Sequence, residues 1–186
     1  MTMKMKIDFK EPVKVSLEGQ KVTLSKGDIS ESEAFRCKDV TFSLEGNSLV
    51  LEGHNDKKKT NSIMRTVQKK LDNILIGLNQ GYEYKMKVVF SHFPMNIQVS
   101  GKHVVINNFA GEKKPRKAVI VGDNTKVQVK GKEIIITGTN REHVGQTAAN
   151  IEKTTKMKKK DLRVFQDGIY LVRKGIVEKE EGAQNA

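Results

Sequence analysis

The 186-residue chain carries 34 Lys and Arg against 22 Asp and Glu, a formal net charge of +12, with 37% hydrophobic residues, 5% aromatics and no Trp. A basic excess of this size points to a polyanionic partner such as nucleic acid, and the apolar fraction is low but above that of a disordered chain. The single cysteine, Cys37, excludes a disulfide scaffold and a cysteine-only zinc site, and no apolar run approaches the ~18 residues of a membrane-spanning helix.

The N-terminal Met1-Thr2-Met3-Lys4-Met5-Lys6 is basic and leads into no apolar stretch. No secretory signal is therefore expected, and the lone cysteine fits a reducing, intracellular setting. Residues 13–17 and 20–24 read as a β-hairpin closed at Gly19, and residues 39–44 and 48–52 as a second, closed at Gly46-Asn47. Ile63, Val67, Leu71, Ile74, Leu75 and Leu78 then recur at helical spacing. Gly77 and Gly81 bracket the turn into residues 82–90, which alternate as a strand does, and Ser91-His-Phe-Pro94 leads onward.

Beyond that point the pattern repeats. Val15-Ser-Leu-Glu-Gly-Gln-Lys-Val-Thr-Leu24 returns as Ile97-Gln-Val-Ser-Gly-Lys-His-Val-Val-Ile106, at an offset of 82. Ser43-Leu-Glu-Gly-Asn-Ser-Leu-Val-Leu-Glu-Gly-His-Asn55 returns as Gln128-Val-Lys-Gly-Lys-Glu-Ile-Ile-Ile-Thr-Gly-Thr-Asn140, at an offset of 85. A second, shorter helix follows on Val144, Ala148 and Ile151, with Asn140 as its N-cap and Glu142 where the helix dipole favours an acid. Small residues Gly145, Ala148 and Ala149 would let it approach a sheet closely. Residues 163–172 end in a short strand over 169–172. Two copies of about 80 residues argue for a duplicated domain rather than a solenoid. The expected fold is α+β: residues 1–81 and 82–175 as tandem domains, each an antiparallel sheet of hairpins with one helix on one face, then a polar tail at 176–186. Each copy reads as strands, then a helix, then a strand.

Charge is shared unevenly. Residues 1–93 hold 16 basic and 12 acidic residues, and residues 94–186 hold 18 and 10, so the second half carries twice the net excess. The densest run is Lys153, Lys156, Lys158, Lys159, Lys160 and Arg163 against Asp161. A second cluster, Lys113, Lys114, Arg116 and Lys117, falls in the expected loop between the two hairpins of the second copy. Such cations neutralise phosphates, and Phe165 and Tyr170 just beyond the run could stack on unpaired bases. Signs of catalysis are missing. There is no phosphate-binding or dinucleotide glycine motif, and His54, His92, His103 and His143 lack metal-ligand spacing. Cys37, between Arg36 and Lys38, has no adjacent base, and Asp167-Gly168 reads as a turn before a strand. Neither an enzyme nor a cofactor is expected.

The residues also resemble a family. Gly138-Thr-Asn-Arg-Glu-His-Val-Gly-Gln-Thr-Ala-Ala-Asn-Ile151 resembles the second-domain helix of the universal large-subunit ribosomal protein L-six family. Arg163-Val-Phe-Gln-Asp-Gly-Ile-Tyr170 is similar to the C-terminal motif of its archaeal and eukaryotic branch, as are Gly81-Tyr-Glu-Tyr-Lys-Met-Lys, His92-Phe-Pro94 and Asn108-Phe-Ala-Gly-Glu-Lys113. The resemblance implies two tandem domains of one topology and a structural, cytoplasmic component of the large ribosomal subunit. It also implies binding of large-subunit ribosomal RNA, mainly through the second domain, near the stalk base where translation GTPases dock. Neighbouring ribosomal proteins would lie alongside, with no membrane partner and no obligate homo-oligomer. By analogy, Arg141, His143, Gln146, Lys153, Lys158, Lys159, Lys160, Arg163, Gln166 and Tyr170 would face RNA. Lys113, Lys114, Arg116, Lys117 and Lys156 join them on charge. Gly145 and Gly168 would permit close backbone approach, and the less charged first domain would sit more peripherally. One departure is Ser25-Lys26-Gly27-Asp28-Ile29, which lacks the Gly-Pro many members carry at that turn.

Overall fold

Alternating burial along strands and an apolar stripe on each helix build the architecture. A computed structural model describes residues 3–9, 13–54, 57–158, 160–161 and 163–177. The chain divides into two units, Met1–Asn79 and Gln80–Ala186.

The first unit contains β1 (Met3–Asp8), β2 (Lys14–Glu18), β3 (Lys21–Lys26), β4 (Ile29–Ala34), β5 (Val40–Glu45), β6 (Ser48–Gly53) and α1 (Lys58–Asn79). They form two antiparallel sheets, ordered β1-β6-β5 and β2-β3-β4. Helix α1 buries Met64, Val67, Leu71, Ile74 and Leu78 in one cluster with Val22 and Leu24 of β3, Phe42 of β5 and Leu49 and Leu51 of β6.

The second unit contains β7 (Tyr82–Val89), β8 (Asn96–Ser100), β9 (His103–Asn107), β10 (Arg116–Val119), β11 (Lys126–Lys130), β12 (Glu133–Gly138), α2 (Arg141–Thr154) and β13 (Gly168–Ile176), with a 3-10 turn at Phe109–Gly111. Its sheets are ordered β8-β9-β10 and β11-β12-β7-β13. Val144, Ala148 and Ile151 of α2 share a core with Ile134 and Ile136 of β12, Val104 and Ile106 of β9, and Phe109.

The duplication holds at the level of register. Gly53 ends β6 opposite Met3, the first residue of β1, and Gly138 ends β12 opposite Tyr82, the first residue of β7. The turns before β6 and β12 each place a glycine at positive φ, +62° at Gly46 and +58° at Gly131, which a side chain would oppose. Each unit is therefore an entering strand, a three-stranded sheet, a hairpin that pairs with the entering strand, and a helix. The second unit adds β13 on the free edge of β7.

The α+β class with two helices and small antiparallel sheets matches expectation, and several details correct it. Each unit splits its strands between two sheets, and its helix packs on both. The strand after the first helix, β7, pairs within the second unit, so the order strands-helix-strand does not describe the first copy. β1 and β4 are additional strands. Arg116 and Lys117, expected in a loop, begin β10, because Ala118 within it and Ile120 just beyond bury against the core. β13 runs to Ile176, and the Val177 N–H donates to the Gly81 carbonyl at 3.0 Å. Asn55 and residues 178–186 lie outside the described residues.

Candidate nucleic-acid interface

Helix α2 starts and stops for identifiable reasons. The Asn140 side chain accepts from the Glu142 N–H at 2.9 Å and the His143 N–H at 3.4 Å, satisfying donors the first turn would leave open. At the other end the Thr155 N–H donates to the Ile151 carbonyl at 3.1 Å, and the Thr155 hydroxyl donates to the same carbonyl. That hydroxyl also accepts from the Ile169 N–H at 3.1 Å, tying the helix end to β13. Thr155 and Met157 are buried, so the lysines that alternate with them, Lys156 and Lys158, are turned to solvent.

This arrangement leaves a groove of about 630 Å³ between the last turns of α2, residues 155–158 and the start of β13. Ala149 is its exposed apolar residue, the buried Met157 and Ile169 form its floor, and Lys153, Lys156 and Lys158 supply positive charge beside one acid, Glu152. Tyr170 borders it with 43% of its surface exposed. Its hydroxyl donates to the Gln166 carbonyl at 3.1 Å, and its ring lies so near Gly168 that a Cβ there would stand 3.1 Å from ring Cζ. Gly168 thus does provide close approach, but to Tyr170. Gly145 likewise faces the Tyr84 ring, 3.7 Å from where its Cβ would be.

Asp167 is not a solvent-facing turn residue. It is 2% exposed, and its Oδ1 accepts from the Ser91 N–H at 2.7 Å and the His92 N–H at 3.3 Å. His92 Nδ1 donates to Oδ2 at 2.7 Å. Burial pushes this carboxyl up, but the backbone N–H groups and the His92 ring outweigh it and hold the carboxyl below its ordinary value. The His92 ring in turn stacks on Phe165 at 4.8 Å between centroids, and Lys160 Nζ lies 4.4 Å from the Phe165 centroid. The basic run is thereby anchored at its base to the turn that follows β7.

Arg116 is committed inside the protein. Its Nε and Nη2 fork onto Glu112 at 2.8 and 2.6 Å, its Nη1 donates to the Thr154 carbonyl at 2.7 Å, and its guanidinium lies 4.2 Å from the Phe109 centroid. The Arg116 hydrogen bonds hold the Glu112 carboxyl below its usual range, and the charge of Lys160 adds to the effect, so the two basic clusters approach one another here. Arg116→Ala should destabilise the protein by about 1–3 kcal/mol, since charge-assisted hydrogen bonds and aromatic contact go together. Arg116→Lys should recover less than half of this, because an ammonium cannot fork. Urea denaturation of both variants checks the order.

The remaining expected residues spread more widely. Lys113 and Lys114 are exposed just before β10, and Lys117 is exposed within it. Arg141, His143 and Gln146 lie on the first turns of α2, with Arg141 and His143 some 15–18 Å along the axis from Lys153 at 1.5 Å per residue. The His143 ring packs on Gly122, at φ +82°, where a Cβ would overlap it. Gln146 Nε2 donates to Asn150 Oδ1 at 2.9 Å. Arg163 and Gln166 are exposed on the approach to β13. Lys159 lies outside the described residues. Burial pushes the Cys37 thiol up, the direction opposite to activation. Among the described residues no group of three or more His, Cys, Asp and Glu could hold a metal ion. Also among them, no helix is long and apolar enough to cross a membrane.

Residues 93–168 match the family described as Ribosomal protein L6. The large ribosomal subunit protein uL6 of Methanosphaera stadtmanae is 44% identical over 168 residues, covering 90% of this chain and 91% of that protein. Those of Haloarcula marismortui and Methanosarcina mazei are 40% and 45% identical, covering 92% and 90% of this chain and 96% and 95% of theirs.

Proposed function

The chain belongs to the ribosomal protein L6 family, and on that premise we propose that it is a structural, non-catalytic component of the large ribosomal subunit that grips large-subunit ribosomal RNA with its second unit. The observation that carries this reading is the convergence of Lys153, Lys156 and Lys158 on one groove beside Tyr170. Lys160 and Arg163 extend the basic surface, and Lys113, Lys114 and Lys117 lie on β10 and the turn before it. Arg141 and Gln146 would meet a separate stretch of backbone. Phosphate neutralisation supplies the affinity, and the shape of the folded RNA supplies the fit. The setting is the cytoplasmic ribosome, near the stalk base, with translation GTPases and other ribosomal proteins as neighbours. The first unit is the more peripheral.

The test is incorporation. Chains carrying Lys153→Glu, Lys156→Glu and Lys158→Glu together should fold but fail to co-sediment with large subunits after a moderate salt wash. Lys158→Glu, Lys159→Glu and Lys160→Glu together should do the same. Lys58→Glu, Arg65→Glu and Lys69→Glu on the exposed face of α1 make the same charge change in the first unit and should incorporate. Normal incorporation of the groove variants, or equal loss in the α1 control, would refute the assignment.

A further inference from the structure

Charge alone does not explain the groove. A site built only for the backbone of a duplex needs cations, and an A-form duplex keeps its base faces stacked on one another and out of reach. Here the cations Lys153, Lys156 and Lys158, with one acid, Glu152, beside them, stand around an apolar lining in which Ala149 is exposed over a floor of buried Met157 and Ile169. A ligand matching both has a flat apolar part and an attached anion.

Tyr170 fixes which ligand that is. Its ring is held at three points: the backbone of β13, the hydroxyl bond to the Gln166 carbonyl, and the bare Cα of Gly168 against the ring. It is nonetheless 43% exposed, on the border of the groove. An aromatic ring immobilised in advance and open to solvent loses little entropy when a second ring stacks on it. We propose that the groove receives a single unstacked nucleotide of the bound RNA, its base stacked on Tyr170 and over the apolar lining, its phosphate among Lys153, Lys156 and Lys158. This rests on the RNA-binding reading and specifies the ligand of that same site.

The experiment uses the full chain and two RNA hairpins of equal length. One carries a single-nucleotide bulge with 2-aminopurine at the bulge, and the other is fully paired. The wild-type chain should prefer the bulged hairpin by about tenfold or more, the effect of one base–aromatic stack, and should quench the 2-aminopurine fluorescence. Tyr170→Phe keeps the ring and should keep the preference and the quenching. Tyr170→Ala should bring the bulged hairpin down to the affinity of the paired one while leaving the salt dependence of binding unchanged. Replacing the three lysines by Gln should instead make that salt dependence shallower for both hairpins. Thermal unfolding of each variant confirms that it is folded. Equal wild-type affinity for the two hairpins, or a preference that survives Tyr170→Ala, overturns the nucleotide site and leaves the RNA-binding reading standing. An unchanged salt dependence in the lysine variant overturns both.

Discussion

Asp167→Ala should destabilise the second unit by about 2–4 kcal/mol, the range for removing a buried charged acceptor and stranding its donors. The side chain is 2% exposed and receives three hydrogen bonds, two from the backbone at Ser91 and His92 and one from the His92 ring. Alanine leaves all three donors without that acceptor. Asp167→Asn retains an acceptor oxygen but loses the charge, so it should fall between wild type and alanine. The same carboxyl predicts a pH dependence. Its folded pKa is depressed, so its contribution is fully present above the unfolded value of about 4 and is lost as pH falls through the lower folded value. Wild type should therefore lose stability on acidification across that window more steeply than Asp167→Asn does. Urea midpoints between pH 6 and pH 3, followed by amide exchange in β7 and β13, check both claims. Equal midpoints for wild type and Asp167→Ala at neutral pH would remove the clamp from the account.

The clamp also bears on the groove. Asp167 immediately precedes Gly168 and stands two residues before Ile169 is joined to Thr155, so it fixes where β13 begins. Tyr170 inherits its position from that start. Lys160 reaches the same clamp through Phe165 and His92. An interior carboxylate thus orders a surface made of cations.

What the sequence made legible follows from the range over which each signal acts. The hairpins, both helices and the Asn140 cap are local patterns, the duplication is a match of one such pattern with another, and all have counterparts in the structure. β1 was hidden because Met3-Lys4-Met5-Lys6-Ile7-Asp8 looks like a basic terminus; its alternation acquires meaning only when β6 pairs with it. β4, Ile29-Ser-Glu-Ser-Glu-Ala34, is an edge strand with exposed Ile29 and a buried Glu31, the reverse of the pattern that marks a half-buried strand. β10 was hidden by the Lys and Pro residues before it. The lysines of the groove were legible as charge. Their outward direction came from the burial of Thr155 and Met157, which depends on contacts with β13 and the core. Arg116 and Asp167 were the least legible, since their partners lie up to 40 and 76 residues away and nothing local marks them.

Ile151→Ala should separate fold from charge. Ile151 is fully buried, one helical turn from Thr155, in the core shared with Ile134, Ile136 and Phe109. Truncation removes buried apolar area and leaves a cavity, costing about 2–5 kcal/mol, against about 0.5–1.5 kcal/mol for Ile151→Val. Alanine's better helix propensity offsets only a few tenths of that. Its backbone carbonyl, which receives the Thr155 N–H and hydroxyl, is retained, so the helix still ends in place. RNA affinity should then fall only through the folded fraction, by the factor that denaturation curves give independently. The salt dependence of binding should match wild type, because the substitution leaves in place Lys153, Lys156 and Lys158, which the proposed contact sets against phosphates. A shallower salt dependence in Ile151→Ala would mean that the cavity has collapsed far enough to turn the lysines away. In that case the core would set the geometry of the groove as well as the population of the fold, and Ile151→Val should show the same change in proportion to its smaller cavity.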